Sequence, residues 1–257
     1  MVLAAGYATR LRPLTDSVSK MLLPLAGRPM LDYLVDRIDE VDEVDRVHVV
    51  TNARFARDFE AWAGAREGRH PLAVHDDGTT SNEDRLGAVG DIRFTIEQAG
   101  LEGKDLLVLA GDNLIEYRLP DFVRFWREKG DGAALAVHRV PDPELIKQYG
   151  VVEVDEQDRV VSLEEKPAEP RSDLAATAAY LFRAEDAALV PGYLEAGKPA
   201  DAPGNFMVWL HTRVPVYGYA FSGEWRDIGD PEQLLDADNR MRRRTGLPTR
   251  VEYSLEK

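Results

Sequence analysis

Leu106-Leu107-Val108-Leu109-Ala110, followed by Gly111-Asp112-Asn113, is the clearest buried strand of the sequence. Five consecutive apolar residues without alternation are typical of a strand covered on both faces of a parallel sheet. Two earlier runs, Val47-His48-Val49-Val50 and Val2-Leu3-Ala4-Ala5, have nearly the same character. Together the three runs predict a parallel sheet buried between layers of helices.

Helical patterns fill the intervals between these strands. Leu31, Leu34, Ile38 and Val41 recur at helical spacing after Pro29. Further helices are predicted over 55–62, 86–99 and 120–129, and further strands over 72–74 and 133–137. The alternation predicts an α/β fold with a doubly wound, mostly parallel, Rossmann-like mixed sheet flanked by helices.

The regular alternation of predicted strands and helices ends after His138. Strands joined by turns are predicted over 149–154, 160–163 and 176–182, followed by a helix over 184–196, a strand over 214–219 and a helix over 231–244. No Ser/Gly-rich linker, internal repeat or low-complexity tract separates the two halves. We therefore expect a single domain over 1–257, in which a smaller lobe from 141–257 packs on the same sheet as 1–140.

Composition excludes several classes of function. The formal net charge of the 257-residue chain is -14, from 46 acidic and 32 basic residues, so its surface repels nucleic acid and anionic lipid. A polyphosphate ligand would then need positive charge supplied locally by a few Arg and Lys residues. The chain has no cysteine, which excludes disulfides, thiolate metal sites and a Cys nucleophile.

The sequence also bears on location. No apolar run approaches the ~20 residues that span a bilayer, and the first residues lack the basic and apolar regions of a signal peptide. We therefore expect no membrane association and a reducing, cytoplasmic setting. The five histidines are scattered and form no His-Glu-x-x-His zinc pattern.

A loop rich in Gly, Thr, Arg and Pro follows the first strand, from Gly6 to Lys20. Ligands of α/β folds bind at the carboxyl ends of strands, and exposed loop N–H groups can cradle phosphate oxygens. The planar guanidinium of Arg10 could donate to two such oxygens at once, and Lys20 would add a point charge. The loop has neither a Walker A pattern nor a Gly-x-Gly-x-x-Gly fingerprint, so a plain surface loop with a turn glycine remains the alternative.

The loop resembles a known family. Leu3-Ala4-Ala5-Gly6-x-x-Thr9-Arg10-Leu11-x-Pro13-Leu14-Thr15, with Lys20 and Leu22-Leu23-Pro24 after it, is similar to the opening motif of the sugar-1-phosphate nucleotidylyltransferases, especially the glucose-1-phosphate thymidylyltransferases. The resemblance implies that Arg10 faces the departing β- and γ-phosphates and that Lys20 lies near the α-phosphate and the sugar phosphate. It implies nucleotide contacts from Leu3, Ala4, Ala5, Gly6, Thr9 and Arg10. Ala8 replaces the family's second glycine, and Ser19 replaces the usual proline before the lysine.

Two aspartates match the family's metal ligands. Gly111-Asp112-Asn113 resembles the Gly-Asp-Asn motif, and Trp225-Arg226-Asp227-Ile228-Gly229 resembles Trp-x-Asp-x-Gly. The resemblance implies that Asp112 and Asp227 bind a metal, with Asp112 also at the nucleotide. Two carboxylates with phosphate oxygens and water suit Mg²⁺. Without the resemblance, Asp112 would equally suit a turn or a helix cap.

Further motifs match the part of the family that binds the sugar phosphate. These are Tyr149-Gly150, Glu164-Glu165-Lys166-Pro167 and Thr177-Ala178-Ala179-Tyr180, in which Ala178 replaces a glycine. The resemblance gives Lys166 a catalytic contact with the phosphate and makes 141–257 the sugar-phosphate-binding and metal-completing half beside a nucleotide-binding half, 1–140. The sugar-phosphate contacts that it implies are Asn113, Tyr149, Gly150, Glu165, Lys166, Tyr180 and Trp225.

The residues that would read the base remain open. Leu86-Gly87-Ala88-Val89-Gly90 resembles the family segment whose first glycine lies against the base, which makes Gly87 a nucleotide contact. A few residues earlier, Asn82 could pair with a pyrimidine imide through its donor and acceptor. Glu83 could instead accept from the N1–H and amino group of guanine.

The resemblance covers residues 2 to about 237 and implies condensation of a nucleoside triphosphate, dTTP or UTP favoured, with a sugar 1-phosphate. Alternatives are GTP or CTP with mannose or heptose 1-phosphate, or phosphocholine, which needs an aromatic box to which Trp209, Tyr217 and Trp225 could contribute. A non-catalytic regulatory subunit is a further alternative, although the loop arginine and both aspartates are present. A glycosyltransferase would need Asp-x-Asp at the strand end, and Gly111-Asp112-Asn113 does not supply it. A homo-oligomer is an expectation from the family alone.

Overall fold

A computed structural model describes residues 1–255. Its strands are β1 (Val2–Leu3), β2 (Pro24–Leu25), β3 (Arg28–Pro29), β4 (Val47–Thr51), β5 (Leu72–Asp76), β6 (Leu106–Ala110), β7 (Asn113–Ile115), β8 (Ala133–Arg139), β9 (Gly150–Val154), β10 (Val160–Glu165), β11 (Leu174–Phe182), β12 (Val216–Ala220) and β13 (Trp225–Asp227). The α-helices are α1 (Met30–Ile38), α2 (Ala56–Ala65), α3 (Ala88–Ala99), α4 (Leu119–Lys129), α5 (Ala184–Ala187), α6 (Val190–Glu195), α7 (Pro203–Leu210) and α8 (Pro231–Arg244).

The chain forms two compact units. Unit 1 consists of Met1–Leu3, Leu86–Ala110 and Tyr117–Gly223, and unit 2 of Ala4–Arg85, Gly111–Glu116 and the chain from Glu224 onward. Because each unit draws on both 1–140 and 141–257, these sequence halves do not coincide with the compact units. The chain passes repeatedly from one unit to the other.

Unit 1 contains a mixed sheet. β6 pairs parallel with β1 and antiparallel with β11, and β11 pairs antiparallel with β8 and β9. β12 runs parallel to β8, and β10 antiparallel to β9. β1, β6, β8, β9 and β12 therefore share one direction, which β10 and β11 oppose. This confirms the predicted mixed, mostly parallel sheet flanked by helices.

Two of the apolar runs that predicted strands, 106–110 and 133–137, contribute to the core of unit 1. Val108 of β6 is fully buried, as are the five residues of β8 from Ala133 to Val137. Val108 and Leu135 lie opposite the same residue of β11, Tyr180. Strands with both faces covered explain why these runs show no polar alternation.

Unit 2 holds the parallel pair β4–β5, the short antiparallel hairpin β2–β3 and the antiparallel pair β7–β13. The pair of three-residue strands β7 and β13 is called the β7–β13 ribbon below. Leu114 of β7 and Ile228, the residue after β13, are buried and pack in one apolar cluster with Leu234 of α8 and Met30 of α1. The Asp230 carboxylate caps α8 by accepting from the Gln233 backbone N–H at 2.9 Å. The start of α8 is thereby fixed directly after the ribbon.

Most predicted elements are present, and the second half differs from the prediction at the unpredicted strand β13 and at two helical segments. The helix predicted over 184–196 is divided into α5 and α6, and α7 was not predicted. In α7 the run Phe206-Met207-Val208-Trp209-Leu210 is apolar throughout, so it lacks the polar face that gives a helix its period. Within residues 1–255, no helix has the length and apolarity to cross a bilayer.

Candidate functional site

The predicted phosphate loop in unit 2 is ordered by Ala8. This residue adopts a left-handed backbone conformation with φ 45°, and its carbonyl accepts from the Leu11 N–H and the Thr15 hydroxyl, each at 2.9 Å. These bonds close a short 3₁₀ helix, Thr9–Leu11, on which Thr9 and Arg10 are exposed. The loop therefore presents a hydroxyl and a guanidinium to solvent.

The other loop residues differ in their surroundings. Ala4 and Ala5 are buried in unit 2, where the Ala5 carbonyl accepts from the Asn52 side-chain amide at 2.8 Å, and Leu3 belongs to β1 of unit 1. Gly6 is exposed, and a Cβ added to it would meet no described atom within 4 Å. The protein itself therefore leaves room for a side chain at Gly6.

Lys20 is buried and faces one of the two predicted metal ligands. Its side chain is 9% exposed, and its ammonium donates to Asp112 Oδ2 at 2.5 Å and to the Ile228 carbonyl at 2.8 Å. Ile228 in turn donates its backbone N–H to the Asp112 carbonyl at 3.1 Å. The structure thus brings together Lys20, Asp112 and the Trp-x-Asp-x-Gly segment.

The second oxygen of Asp112 is also bonded. Asn113 Nδ2 donates to Asp112 Oδ1 at 2.9 Å, and Trp225 Nε1 donates to Asn113 Oδ1 at 2.5 Å. Asn113 is 5% exposed and lies opposite Asp227 in the β7–β13 ribbon. Asp227 therefore lies in β13 opposite Asn113, and Asp112 directly precedes β7 in the chain.

The donor chemistry of this group fits a hard divalent cation. Asp112 and Asp227 offer carboxylate oxygens, the ligands that Mg²⁺ prefers, and Mg²⁺ commonly takes its other ligands from water and substrate phosphates. In the described chain, no cluster of three or more His, Cys, Asp or Glu residues is arranged to hold a metal. A cation at this pair would thus depend on ligands from outside the protein.

Arg10 extends the cationic surface of the loop. A Cβ added to Gly229 would lie 2.8 Å from Arg10 Nη2, so the guanidinium rests against the glycine that ends the Trp-x-Asp-x-Gly segment. The Gly229 N–H donates to Gln233 Oε1 at 2.7 Å. The absence of a side chain at Gly229 is therefore a condition for this position of Arg10.

Four of the predicted sugar-phosphate residues form a group in unit 1, namely Tyr149, Gly150, Glu165 and Lys166, whereas Trp225 belongs to unit 2. Lys166 adopts a left-handed conformation with φ 50°, and its N–H donates to the Tyr149 carbonyl at 3.0 Å. The adjacent Glu165 is half-buried, and burial raises the pKa of its carboxyl while the charge of Lys166 opposes that rise. A partly desolvated carboxylate beside an exposed ammonium suits a ligand with both hydroxyls and a phosphate.

Two glycines leave the space in which the Glu165 carboxylate lies. A Cβ added to Gly150 would stand 3.1 Å from Glu165 Oε2, and one added to Gly204 only 2.3 Å from the same atom. Gly204, near the start of α7, was not among the predicted residues. Nothing in Pro203-Gly204-Asn205 signals its role, because only the fold brings it next to Glu165.

Tyr180 and Ala178 of β11 stand differently from these residues. Tyr180 is 2% exposed, and its ring stacks on Phe182 at 6.0 Å between centroids, so little of its surface is open to a ligand. Ala178 adopts a left-handed conformation with φ 52°, within the shift in register between Ala176 and Tyr180. The family's glycine at this position therefore matches a backbone conformation that glycine favours.

The base-reading segment is only partly defined by its contacts. Gly87 has φ 79°, and a Cβ there would lie 2.7 Å from the Ala200 carbonyl oxygen, so the backbone of unit 1 itself requires this glycine. In unit 2, Asn82 is partly exposed and Glu83 exposed. The exposure of Asn82 and Glu83 suits binding of either a pyrimidine or guanine.

Comparison with known proteins identifies the family. The family model described as Nucleotidyl transferase matches residues 1–244. A UTP–glucose-1-phosphate uridylyltransferase of Synechocystis sp. is 30% identical over 239 residues, covering 89% of this chain and 59% of that protein. A mannose-1-phosphate guanylyltransferase of Mycobacterium tuberculosis is 31% identical over 236 residues, covering 91% and 62%.

The chain spans about three fifths of the length of these curated relatives. A solved structure of a UDP-glucose pyrophosphorylase complexed with UDP-glucose superimposes with a TM-score of 0.79 at 20% identity, covering 95% of this chain and 97% of that one. At this identity the likeness supports the fold alone. Because the family model covers almost the whole sequence, the chain belongs to the nucleotidyl transferase family.

Proposed function

We propose that this protein condenses a nucleoside triphosphate with a sugar 1-phosphate, giving a nucleoside diphosphate sugar and pyrophosphate. The observation that carries the proposal is the contact between Lys20 and Asp112, two residues 92 positions apart that both belong to family motifs. Relatives named for uridylyl and guanylyl transfer to sugar 1-phosphates support the reaction class.

In the proposed reaction, an anionic oxygen of the sugar phosphate attacks the α-phosphorus of the triphosphate. A bond forms between that oxygen and phosphorus, while the bond from the α-phosphorus to the oxygen bridging it to the β-phosphate breaks, and pyrophosphate leaves with the electron pair. Because the attacking oxygen is already charged, no strong general base is needed. Catalysis then rests on positioning and charge neutralisation.

The cationic residues divide this work. Arg10, exposed on its 3₁₀ turn, would contact the departing phosphates, and its planar guanidinium can donate to two oxygens at once. Lys20 would exchange its bond with Asp112 for the α-phosphate and the sugar phosphate. Lys166 would neutralise the sugar phosphate, beside Glu165 accepting from sugar hydroxyls.

We propose Mg²⁺ as the metal, held by Asp112 and Asp227. When bound, it would neutralise phosphate charge and favour one orientation of the triphosphate. The protein's part is to hold the two carboxylates at the β7–β13 ribbon, with Asp227 in β13 opposite Asn113 and Asp112 directly before β7.

The choice of substrates is a finer proposal. We favour a pyrimidine nucleotide, dTTP or UTP, read by the Asn82 amide, with GTP read by Glu83 as the alternative. Phosphocholine as acceptor is disfavoured because two of its three candidate aromatic rings already carry protein cations. Arg213 lies 3.9 Å from the centre of the Trp209 ring, and Lys129 lies 5.3 Å from that of Tyr217.

The test is a grid of nucleoside triphosphates against sugar 1-phosphates with Mg²⁺, read by pyrophosphate release and by the mass of the nucleotide sugar. We expect one combination to be strongly preferred, and a pyrimidine product would support Asn82 as the base reader. A folded protein that binds triphosphate but forms no product in any combination would contradict the proposed reaction and favour a regulatory subunit.

A further inference from the structure

We propose that Trp225 is a positioning residue for Asp112 and acts through Asn113. The hydrogen bonds run from Trp225 Nε1 to Asn113 Oδ1, and from Asn113 Nδ2 to Asp112 Oδ1. This inference rests on the proposed function, in which Asp112 holds a divalent cation. It differs from the sugar-phosphate contacts that the family resemblance implies for Trp225 and Asn113.

The chemistry of the indole fixes the direction of the chain of bonds. An indole N–H can only donate, whereas a side-chain amide has one accepting and one donating end. With Oδ1 of Asn113 on the indole, its Nδ2 must face Asp112. A flipped amide would set two donors against each other at Trp225 and two acceptors against each other at Asp112.

Burial makes this orientation costly to lose. Asn113 is 5% exposed, so water cannot readily replace either bond, and a buried donor or acceptor that is left unmatched retains the cost of its desolvation. Asn113 is also held by its place in β7, opposite Asp227. As placed, both ends of its amide are occupied by the protein, which leaves little of it for a sugar hydroxyl.

The two oxygens of Asp112 therefore have different partners. Oδ1 is bonded to the buried amide of Asn113, and Oδ2 to the ammonium at the end of the flexible Lys20 side chain. Release of Lys20 would free Oδ2 while Oδ1 stays fixed. Asp112 would then present one defined oxygen to a cation, in an orientation set by Trp225.

The experiment uses Trp225→Phe, which keeps an aromatic ring and removes the N–H donor. Binding of Mn²⁺ is measured by calorimetry on the full chain without substrates, and KM for each substrate is measured separately. We expect Mn²⁺ affinity to fall about tenfold, as when other outer hydrogen-bond partners of metal ligands are removed. The KM for sugar 1-phosphate, measured at saturating Mn²⁺, reports separately on any direct contact between Trp225 and the sugar phosphate.

The two hydrogen bonds that connect Trp225 to Asp112 through Asn113 are called the relay below. A double-mutant cycle separates the effect of this relay from a general structural effect. If Trp225 acts through Asn113, adding Trp225→Phe to Asn113→Ala should weaken Mn²⁺ binding no further than Asn113→Ala alone. Trp62→Phe is the matched control, because the Trp62 indole donates to Asp32 at 2.8 Å elsewhere in unit 2. This control should bind Mn²⁺ like the wild type, and Asn113→Ala tests the relay alone should Trp225→Phe not fold.

Two results would overturn the inference. One is a folded Trp225→Phe protein with wild-type Mn²⁺ affinity, whether or not its KM for sugar 1-phosphate rises. The other is an additive cycle, in which both substitutions weaken Mn²⁺ binding independently. Wild-type protein that binds no Mn²⁺ would instead contradict the proposed metal pair itself, so the two failures are distinguishable.

Discussion

The ammonium of Lys20 lies 2.5 Å from Oδ2 of Asp112, with side-chain exposures of 9% and 25%. A lysine and a divalent cation would therefore compete for the same carboxylate oxygen. We expect Lys20→Met to have two opposite effects. Turnover should fall about 100-fold or more, because a charge that stabilises the transition state is removed. Binding of Mn²⁺ without nucleotide should tighten about fivefold, the value of a partly exposed ion pair.

Calorimetric Mn²⁺ titration and a pyrophosphate-release assay on the same preparation check both effects. Lys129→Met is the control, since Lys129 pairs with Asp158 at 2.9 Å in unit 1 and has no proposed role in the reaction. Weaker Mn²⁺ binding by Lys20→Met would show that the ion pair holds Asp112 in place instead of competing for it. Asp112→Ala should abolish both Mn²⁺ binding and turnover.

Gly6 offers a second prediction, because the described chain leaves open space where its side chain would be. Gly6→Ala should leave the thermal midpoint within about 2 °C of wild type, as expected of a surface change without clash. If the loop backbone approaches the triphosphate closely, the added methyl should raise the Kd for nucleotide about tenfold. Thermal melting and nucleotide titration measure the two quantities.

Gly64→Ala is the matched control, since Gly64 lies in α2 of the same unit and its added Cβ also meets nothing within 4 Å of described atoms. Gly64→Ala should leave the Kd for nucleotide unchanged. Unchanged nucleotide affinity in Gly6→Ala would mean that the loop does not approach the ligand at Gly6.

Gly204 tests the position of Glu165. An added Cβ would lie 2.3 Å from Glu165 Oε2, and because a carboxylate at the end of a flexible side chain can move, we expect displacement instead of unfolding. Gly204→Ala should raise KM for the sugar 1-phosphate about tenfold, the value of one bond to a charged group. The KM for the nucleotide and the thermal midpoint should change little.

Gly192→Ala in α6 serves as control, because its added Cβ meets no described atom within 4 Å. Steady-state kinetics with each substrate varied in turn separates the two KM values. Equal rises in both KM values for Gly204→Ala would point to a general disturbance of unit 1 and against a specific seat for Glu165.

The sheet could be predicted because its buried strands consist of uninterrupted apolar residues. Val108 and Leu135 are apolar members of uninterrupted apolar runs, and no other environment suits such runs as well as a covered sheet. The β7–β13 ribbon could not be predicted, since three-residue strands such as Trp225–Asp227 leave no periodic pattern. Its pairing depends on contacts between segments more than 100 residues apart.

The candidate site shows the same division. Sequence motifs indicate Lys20 and Asp112 separately, but only the fold shows that the two side chains are hydrogen-bonded. The fold alone also shows that the Glu165 carboxylate lies against Gly204. Ala8 and Ala178, where the family has glycine, both adopt left-handed backbone conformations. The motif thus specifies a backbone shape at these positions, and alanine adopts it here at a cost on the order of 1 kcal/mol each.

The histidine pair of β4 and β5 gives a prediction about acid stability. His48 Nδ1 and His75 Nε2 are 2.9 Å apart in unit 2, with one donating to the other. Burial lowers the pKa of His48 to about 4 and also lowers the pKa of His75. Protonation of both rings would remove the only acceptor of this bond and set two positive charges together.

The sign of the pH effect follows from these depressed values. Between pH 6.5, the ordinary pKa of histidine, and pH 4, the unfolded chain binds protons that the folded chain does not. The contribution of the pair is therefore fully present above pH 6.5 and is lost as the pH falls toward 4. In His48→Phe only the His75 ring remains to titrate, without a charged histidine beside it. We expect the free energy of unfolding of this variant, measured in urea, to fall less between pH 7 and pH 5 than that of wild type.

The difference between the two proteins should be below the ~1.4 kcal/mol per pH unit that full uptake of one proton would produce. His211→Phe is the control, because His211 lies in unit 1, outside the β4–β5 pair that carries His48 and His75. Parallel stability curves for wild type and His48→Phe would show that the pair titrates normally in the folded state. The 2.9 Å contact would then contribute nothing to the loss of stability in acid.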